Sequence, residues 1–457
     1  MKIRLFFVLM LIVSFNLNAQ NKDSLMIRNL YSAALSDNSG YKDLEFLCKK
    51  IGGRICGSPQ AMASVEWSKQ LLQQVGCDTV FLQPCKVHNW QRGPKEIAKV
   101  NSNVYGSYEL SVCALGESVG TGDSGVYGNV IEVKSIDELK KMRRKDVEGK
   151  IVFFNRAMDP SNYYTFMSYG GAADQRVIGA CEASKLGAVG VIVRSLSMSI
   201  DECPHTGIMR YKDAPKQIPA FAVSTFHAEK LSQNLKIDPA LNLYMHALCK
   251  FLPEADSYNV IGELKGSEFP NEYIVVGGHL DAWDNGEGAH DDGVGCVQSI
   301  DVIKIFKKLN YKPRHSLRAV MFMDEEVSQR GGRKYAEVAK NNNEKHIVAI
   351  ESDHGGFTPF GFSIDANDTV VQKIQKWEAL LKPYGIYKLI KGGSGVDISF
   401  LKENGVPLMA ILTDSQRYFD YQHAPSDTFE KVNIREMQLG TATLAAMIYL
   451  IDQYGLK

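Results

Sequence analysis

The second half of the chain carries two histidines and a set of carboxylates in four short stretches: His279-Leu280-Asp281 with Asp291-Asp292 close behind, Glu325-Glu326, Asp353, and His423. Zinc takes imidazole nitrogen and carboxylate oxygen at roughly 2.0–2.2 Å. Two ions roughly 3.5–4 Å apart need one shared carboxylate with separate ligands on either side. Asp291 is the natural bridge, because Gly286, Gly288 and Gly293 let the backbone approach a crowded centre. His279 and Asp353 then complete one ion, and Glu326 with His423 the other. Asp281, two residues beyond His279, is better placed to accept its second imidazole N–H than to bind metal, which fixes the tautomer. Glu325 is left free to take a proton from an activated water and pass it to a leaving amine, which is what amide hydrolysis requires.

These residues need elements that deliver them to one place. His279 follows the run Tyr273 to Gly278, Glu325 follows Leu317 to Met323, and Asp353 follows Ile347 to Ile350. Each run reads as a short buried strand. Sites in open α/β sheets gather at the carboxyl ends of parallel strands, and three runs each place candidates there. Neighbouring residues of extended backbone point to opposite sides, which would separate Glu325 from Glu326. Gly293 to Leu309 reads as a helix starting beside the metal turn, and a terminal helix is expected from about Ile434 to Tyr454. A strand is expected at Val406 to Leu412, and a helical opening region from about Asp23 to Gly76. Alternating strands and helices predict an α/β fold, a mixed and mainly parallel sheet sandwiched by helices.

Gly278-His279-Leu280-Asp281-Ala282-Trp283-Asp284, Gly288-Ala289-His290-Asp291-Asp292-Gly293, Asp324-Glu325-Glu326, Glu351-Ser352-Asp353 and Tyr418-Phe419-Asp420-Tyr421-Gln422-His423 closely resemble the di-zinc aminopeptidase family, in its plasma glutamate carboxypeptidase branch. Gly53-Arg54-Ile55-Cys56-Gly57-Ser58 extends the resemblance over nearly all of the mature chain. The resemblance implies the zinc exopeptidase fold, two Zn2+ ions, His279, Asp291 and Asp353 on one and Asp291, Glu326 and His423 on the other. It also implies Glu325 as general base and a cis peptide between Asp291 and Asp292. Gln422-His423-Ala424 departs from the branch, where His-His-Ser/Thr is frequent. His290 and His354 are read as supporting or pocket-lining residues. A glutaminyl cyclase on the same fold would use one zinc, and the full set of ligands for two argues against it. An inactive binding protein should have lost the base or the bridge, and both Glu325 and Asp291 are present.

The 457 residues exceed one ordinary domain, and 52 basic against 52 acidic residues argue against nucleic acid as a partner. Lys2 and Arg4, the apolar run from Leu5 to Phe15 and a small residue at Ala19 fit a signal peptide over residues 1–19 and a secreted or periplasmic enzyme. The run is too short for a stable membrane anchor. Nine cysteines show no framework, so no disulfide is assigned.

The segment from Val119 to Leu248 changes character, with strand candidates at 151–154, 189–193 and 218–223. It resembles a protease-associated domain inserted at 119–248 between the peptidase segments 20–118 and 249–457. Its one tempting motif, Cys203-Pro204-His205-Thr206-Gly207, is short of four zinc ligands and reads as a turn. The insertion is expected to wall the cleft and favour dipeptides or short peptides as substrates. Trp283, Asp397, Arg417 and Tyr418 are candidate substrate contacts, Asp397 within the loop from Gly392. Mixed nitrogen and oxygen ligands would also accept cobalt or manganese, and the sequence leaves a homodimer open.

Overall fold

A computed structural model describes residues 22–456, so the leader expected at residues 1–19 lies outside the described residues. Two eight-stranded sheets organise the chain. The first runs in the order Thr79–Gln91, Lys250–Leu264, His315–Phe322, Phe269–His279, Lys345–Glu351, Leu408–Thr413, Pro359–Asp365, Lys388–Lys391. The four strands from His315–Phe322 to Leu408–Thr413 in that order are parallel neighbours, and antiparallel pairs flank them. The sheet is mixed and lies between helices, as expected.

Alternate residues of these strands feed different cores, as the period of two requires. Ile274, Val276, Leu317, Ala319 and Met321 pack with Ile300, Ile303 and Ile448, which come from helices Val294–Lys308 and Ile434–Tyr454. Val275, Val320 and Phe322 pack on the other face with Tyr335, Ala339, Ile398 and Leu401. Burial on both faces explains why these strands read as unbroken apolar runs rather than alternating ones.

The opening region is helical over residues 22–35, Ser39–Phe46 and Pro59–Val75. The last of these starts on Ser58, whose Oγ accepts from the Ala61 N–H at 3.1 Å, with Pro59 in the first turn. Between the helices, residues 52–57 form an irregular turn that reaches the metal-ligand loops.

The second sheet runs Gly106–Glu109, Ile97–Ser102, Asn242–His246, Val126–Val133, Ile151–Phe154, Gly190–Arg194, Ala220–Val223, Val112–Ala114. It therefore takes in residues 97–114, which the sequence reading placed in the peptidase segment. Their strands pair with Asn242–His246 and Ala220–Val223, more than a hundred positions later, so no local change of composition marks them. The chain leaves the first sheet along Thr79–Gln91 and returns along Lys250–Leu264. These two strands pair antiparallel from Thr79 opposite Glu263 to Gln91 opposite Lys250, a ribbon that carries the whole second unit. Among the described residues no helix is long and apolar enough to cross a membrane, and all nine cysteines are free thiols.

Candidate metal centre

His279 is the last residue of its strand, Asp353 lies just past the strand ending at Glu351, and Glu325 just past the one ending at Phe322. In register, His279 stands opposite Phe322 and Gly277 opposite Glu351, so the three strands finish level with one another. His423 and Asp291 arrive from loops. His423 adopts a left-handed backbone, and the peptide between Asp291 and Asp292 is cis, in line with the resemblance.

The two oxygens of Asp291 face two different imidazoles. Oδ1 lies 3.1 Å from His279 Nε2, which is also 3.4 Å from Asp353 Oδ1. Oδ2 lies 3.3 Å from His423 Nε2, which is also 3.0 Å from Glu326 Oε2. The result is two sets of three donors sharing Asp291, each compact enough to surround one ion. Glu325 belongs to neither set, its Oε2 standing 4.0 Å from His279 Nε2.

His279 Nδ1 lies 2.9 Å from the backbone carbonyl of Asp281, which can only accept, so the proton sits on Nδ1. Nε2 then presents a lone pair, and it makes no hydrogen bond. A buried lone pair turned toward two carboxylate oxygens is repulsive unless a positive charge lies among them. Glu326 Oε1 is a second buried acceptor without a partner. Burial alone would lower the pKa of His279, but Asp291 and Asp353 outweigh it and raise it well above the ordinary value. At His423 burial is likewise outweighed, by Glu326 and Asp291. Either protons or metal cations must fill these positions, and the nitrogen and oxygen donors suit zinc.

Asp281 differs from the sequence reading. Its carbonyl, not its carboxylate, accepts from His279, the carboxylate being 4.0 Å away from Nδ1. That carboxylate accepts instead from three successive backbone N–H groups, those of Asp324 at 2.7 Å, Glu325 at 3.1 Å and Glu326 at 3.3 Å. The segment holding Glu325 and Glu326 is a turn entered through a left-handed Asp324, so the two side chains are separated by the turn and not by extended backbone. Burial first, then the nearby Asp353 and Glu326 charges, raise the Glu325 pKa well above the carboxylate range.

Two supports went unseen in the sequence. Arg54 is fully buried, and its guanidinium donates to the carbonyls of Leu280 at 2.5 Å, Glu287 at 2.8 Å and Gly288 at 3.0 Å, tying the His279 loop to the Asp291 loop. Asp427 accepts from the N–H groups of His290 at 2.8 Å and Asp291 at 3.1 Å. Burial raises Asp427 to about 7.

The profile of peptidase family M28 matches residues 259–448, the span that holds His279, Asp291, Glu326, Asp353 and His423. Carboxypeptidase Q of Bos taurus is 32% identical over 425 residues, which are 93% of this chain and 88% of the relative. Its human counterpart is 30% identical over the same coverage. The chain belongs to peptidase family M28. The crystal structure of a peptidase M28 precursor from Shewanella amazonensis SB2B superposes with a TM-score of 0.90 at 32% identity, covering 95% of this chain and 97% of that one. A zinc aminopeptidase from Bacillus subtilis shares the fold, with a TM-score of 0.65 at 18% identity over 90% of this chain and 94% of its own. As a member of M28, the protein is a metallo-exopeptidase.

Within this M28 scaffold the remaining candidates separate. Trp283 is buried with its ring edge-on to His423, 5.8 Å between centroids, and the absence of a side chain at Gly116 makes room for it. Tyr418 is buried in an aromatic group with Phe166 and Phe419. Burial, and then Asp291 and Asp353, hold its phenol protonated. Asp397 is not at a rim: it is 1% exposed, with neither carboxylate oxygen hydrogen-bonded. Arg417 has its partners elsewhere; its side chain is 51% exposed, lies over Phe357 and pairs with Glu436 at 3.4 Å. His290 is sandwiched between Phe357 and Tyr421, and His354 lines a cavity of about 240 Å³ with Phe166, Phe360, Ile390 and Leu412.

The Cys203–Gly207 motif, read as a turn, is an irregular loop, and it grips the site. The Thr206 N–H donates to the His423 carbonyl at 2.9 Å, and His205 Nδ1 donates to the Gln422 carbonyl at 2.7 Å. Arg210 donates to the carbonyl of Val327, directly after Glu326. The second unit therefore holds both the His423 loop and the Glu325 loop.

Proposed function

We propose that the protein is an exported zinc exopeptidase that hydrolyses dipeptides or short peptides with two ions and a glutamate base. The observation that carries this reading is the sharing of Asp291 between two donor sets, with Glu325 beside them and uncommitted. His279, Asp291 and Asp353 would hold one ion, and Asp291, Glu326 and His423 the other. When bound, the ions supply Lewis acidity, which lowers the pKa of water and polarises the scissile carbonyl. Glu325 removes the proton from the attacking water and delivers it to the leaving amine; its raised pKa suits a group that must both take and give. Asp281 fixes the turn that aims Glu325. The protonated phenol of Tyr418 is a donor for the carbonyl oxygen as charge develops there.

The second unit, a protease-associated domain by resemblance, closes over the site. Besides its grip on His423 and Val327, Thr165 donates to the Ser415 carbonyl at 2.8 Å. A cleft bounded on these sides admits a chain end more readily than a chain interior. A panel of free dipeptides, their N-acetyl forms and their C-terminal amides tests the reading with the zinc-loaded protein. Hydrolysis of free dipeptides with loss on blocking one end is expected. Equal cleavage of doubly blocked peptides would show an endopeptidase, and no cleavage of any would remove the reading.

A further inference from the structure

The cavity of about 240 Å³ that His354 lines begins one residue from Asp353. Phe166, another of its walls, stacks at 5.3 Å on Tyr418, the proposed donor to the reacting carbonyl. Among the described residues that line this inner cavity, Lys388 alone carries a lysine, arginine or carboxylate group. Lys388 and Ile390 stand two apart on the edge strand Lys388–Lys391, so both face the cavity. Gly361, opposite Lys388 in register, lets the strand approach: a Cβ there would lie 1.9 Å from the Lys388 carbonyl oxygen.

Neighbouring lysines are paired, Lys391 with Asp368 at 2.6 Å and Lys402 with Asp365 at 2.8 Å. Lys388 has no carboxylate within ion-pair distance among the described residues. Its ammonium donates to the Tyr164 hydroxyl and lies over two rings, 4.2 Å from the centroid of Tyr164 and 5.7 Å from that of Phe360. The same two rings line an outer cavity of about 620 Å³, so the ammonium stands where the inner cavity meets the outer one. A lysine on an edge strand discourages pairing of edges when its ammonium faces water; this one is turned onto cavity walls. Ring faces attract the charge but leave two of its three N–H donors free. Such a cation repels a free amino terminus and basic side chains, and it offers a carboxylate a charge-assisted hydrogen bond.

We propose that Lys388 selects peptides with an acidic residue, glutamate or aspartate, next to the scissile bond, the side-chain carboxylate lying in the inner cavity against the ammonium. This rests on the exopeptidase reading and deepens it by naming a substrate class. Tyr164 comes from the second unit and Lys388 from the peptidase sheet, so the recognition group is complete only where the two units meet.

Steady-state hydrolysis of Glu-Ala, Gln-Ala, Ala-Glu and Ala-Gln by the zinc-loaded protein tests this. Within each pair only one side-chain carboxylate changes, and both termini are the same, so a terminal carboxylate cannot produce a difference. At one of the two positions wild type should show kcat/KM about 10- to 100-fold higher for the acid than for its amide partner, the range for a charge-assisted hydrogen bond. Lys388→Met should lower the acidic peptide to the level of its partner, and Lys388→Glu should make it the poorer substrate of the two. Should Lys388→Met fail to fold, Lys388→Gln carries the same expectation. No acid preference in wild type at either position, a preference that survives loss of the ammonium, or an equal loss for both members of the pair overturns the proposal. Hydrolysis of Gln-Ala and Ala-Gln without acid preference removes the proposal alone, whereas no hydrolysis of any of the four removes the exopeptidase reading with it.

Discussion

The carboxylate of Asp281 accepts the backbone N–H of Glu325 at 3.1 Å, and those of its two neighbours as well, so the proposed base is aimed by a carboxylate that belongs to neither donor set. Asp281 is fully buried, and burial, its largest influence, raises its pKa. Oδ1 serves Asp324 and Glu325 and Oδ2 serves Glu326, so both oxygens are engaged.

Replacing that carboxylate by an amide, Asp281→Asn, turns an NH2 group toward backbone N–H donors. At least one of them loses its acceptor, at a cost of about 1–3 kcal/mol. Urea denaturation should show this loss of stability. The turnover number should fall while zinc content stays near wild type, because no donor atom is removed. Unchanged turnover would mean that the turn holds its shape without Asp281.

Glu325→Gln keeps size and hydrogen bonding but cannot take a proton. Turnover should fall by about 10²- to 10⁴-fold, the usual contribution of a positioned base. Zinc content should not change. Retention of most of the activity would transfer the role of base to another group.

Zinc uptake should expel protons. In the metal-free protein His279 and His423 have raised pKa values, so both are protonated at and below neutral pH, and a metal can bind only after they ionise. Affinity should therefore rise with pH, by about 100-fold per unit where two protons are displaced together, and level off above the raised values. Titration calorimetry in buffers of different ionisation enthalpy counts the protons. No release at pH 7 would show that the imidazoles stay neutral without metal.

Much of this site was legible because chemistry and secondary structure coincide in it. His279, Glu325 and Asp353 each end or follow an apolar run, and the runs proved to be adjacent parallel strands. The supports were not legible. Asp427 binds the Asp291 N–H from 136 positions away, and Arg54 answers to carbonyls, which leave no mark on composition. The same distance effect hid residues 97–114, whose partners at 221–223 and 242–246 lie more than a hundred positions later, within the insertion. Asp281 was misread for a different reason: the spacing to His279 is right for contact, but it is the carbonyl that makes it. Arg417 was chosen for its charge next to Tyr418, and the helical turn at Tyr418–Tyr421 sends it to Glu436.

The central claim is that one carboxylate, Asp291, is shared by two ions. Metal content measured by mass spectrometry on protein saturated with zinc and then desalted tests it most directly, with wild type compared with Asp291→Ala. The account predicts two zinc ions per chain in wild type and loss of occupancy at both positions in the variant, which also has no measurable turnover. One ion per chain in wild type, or two retained by a folded Asp291→Ala, would contradict it.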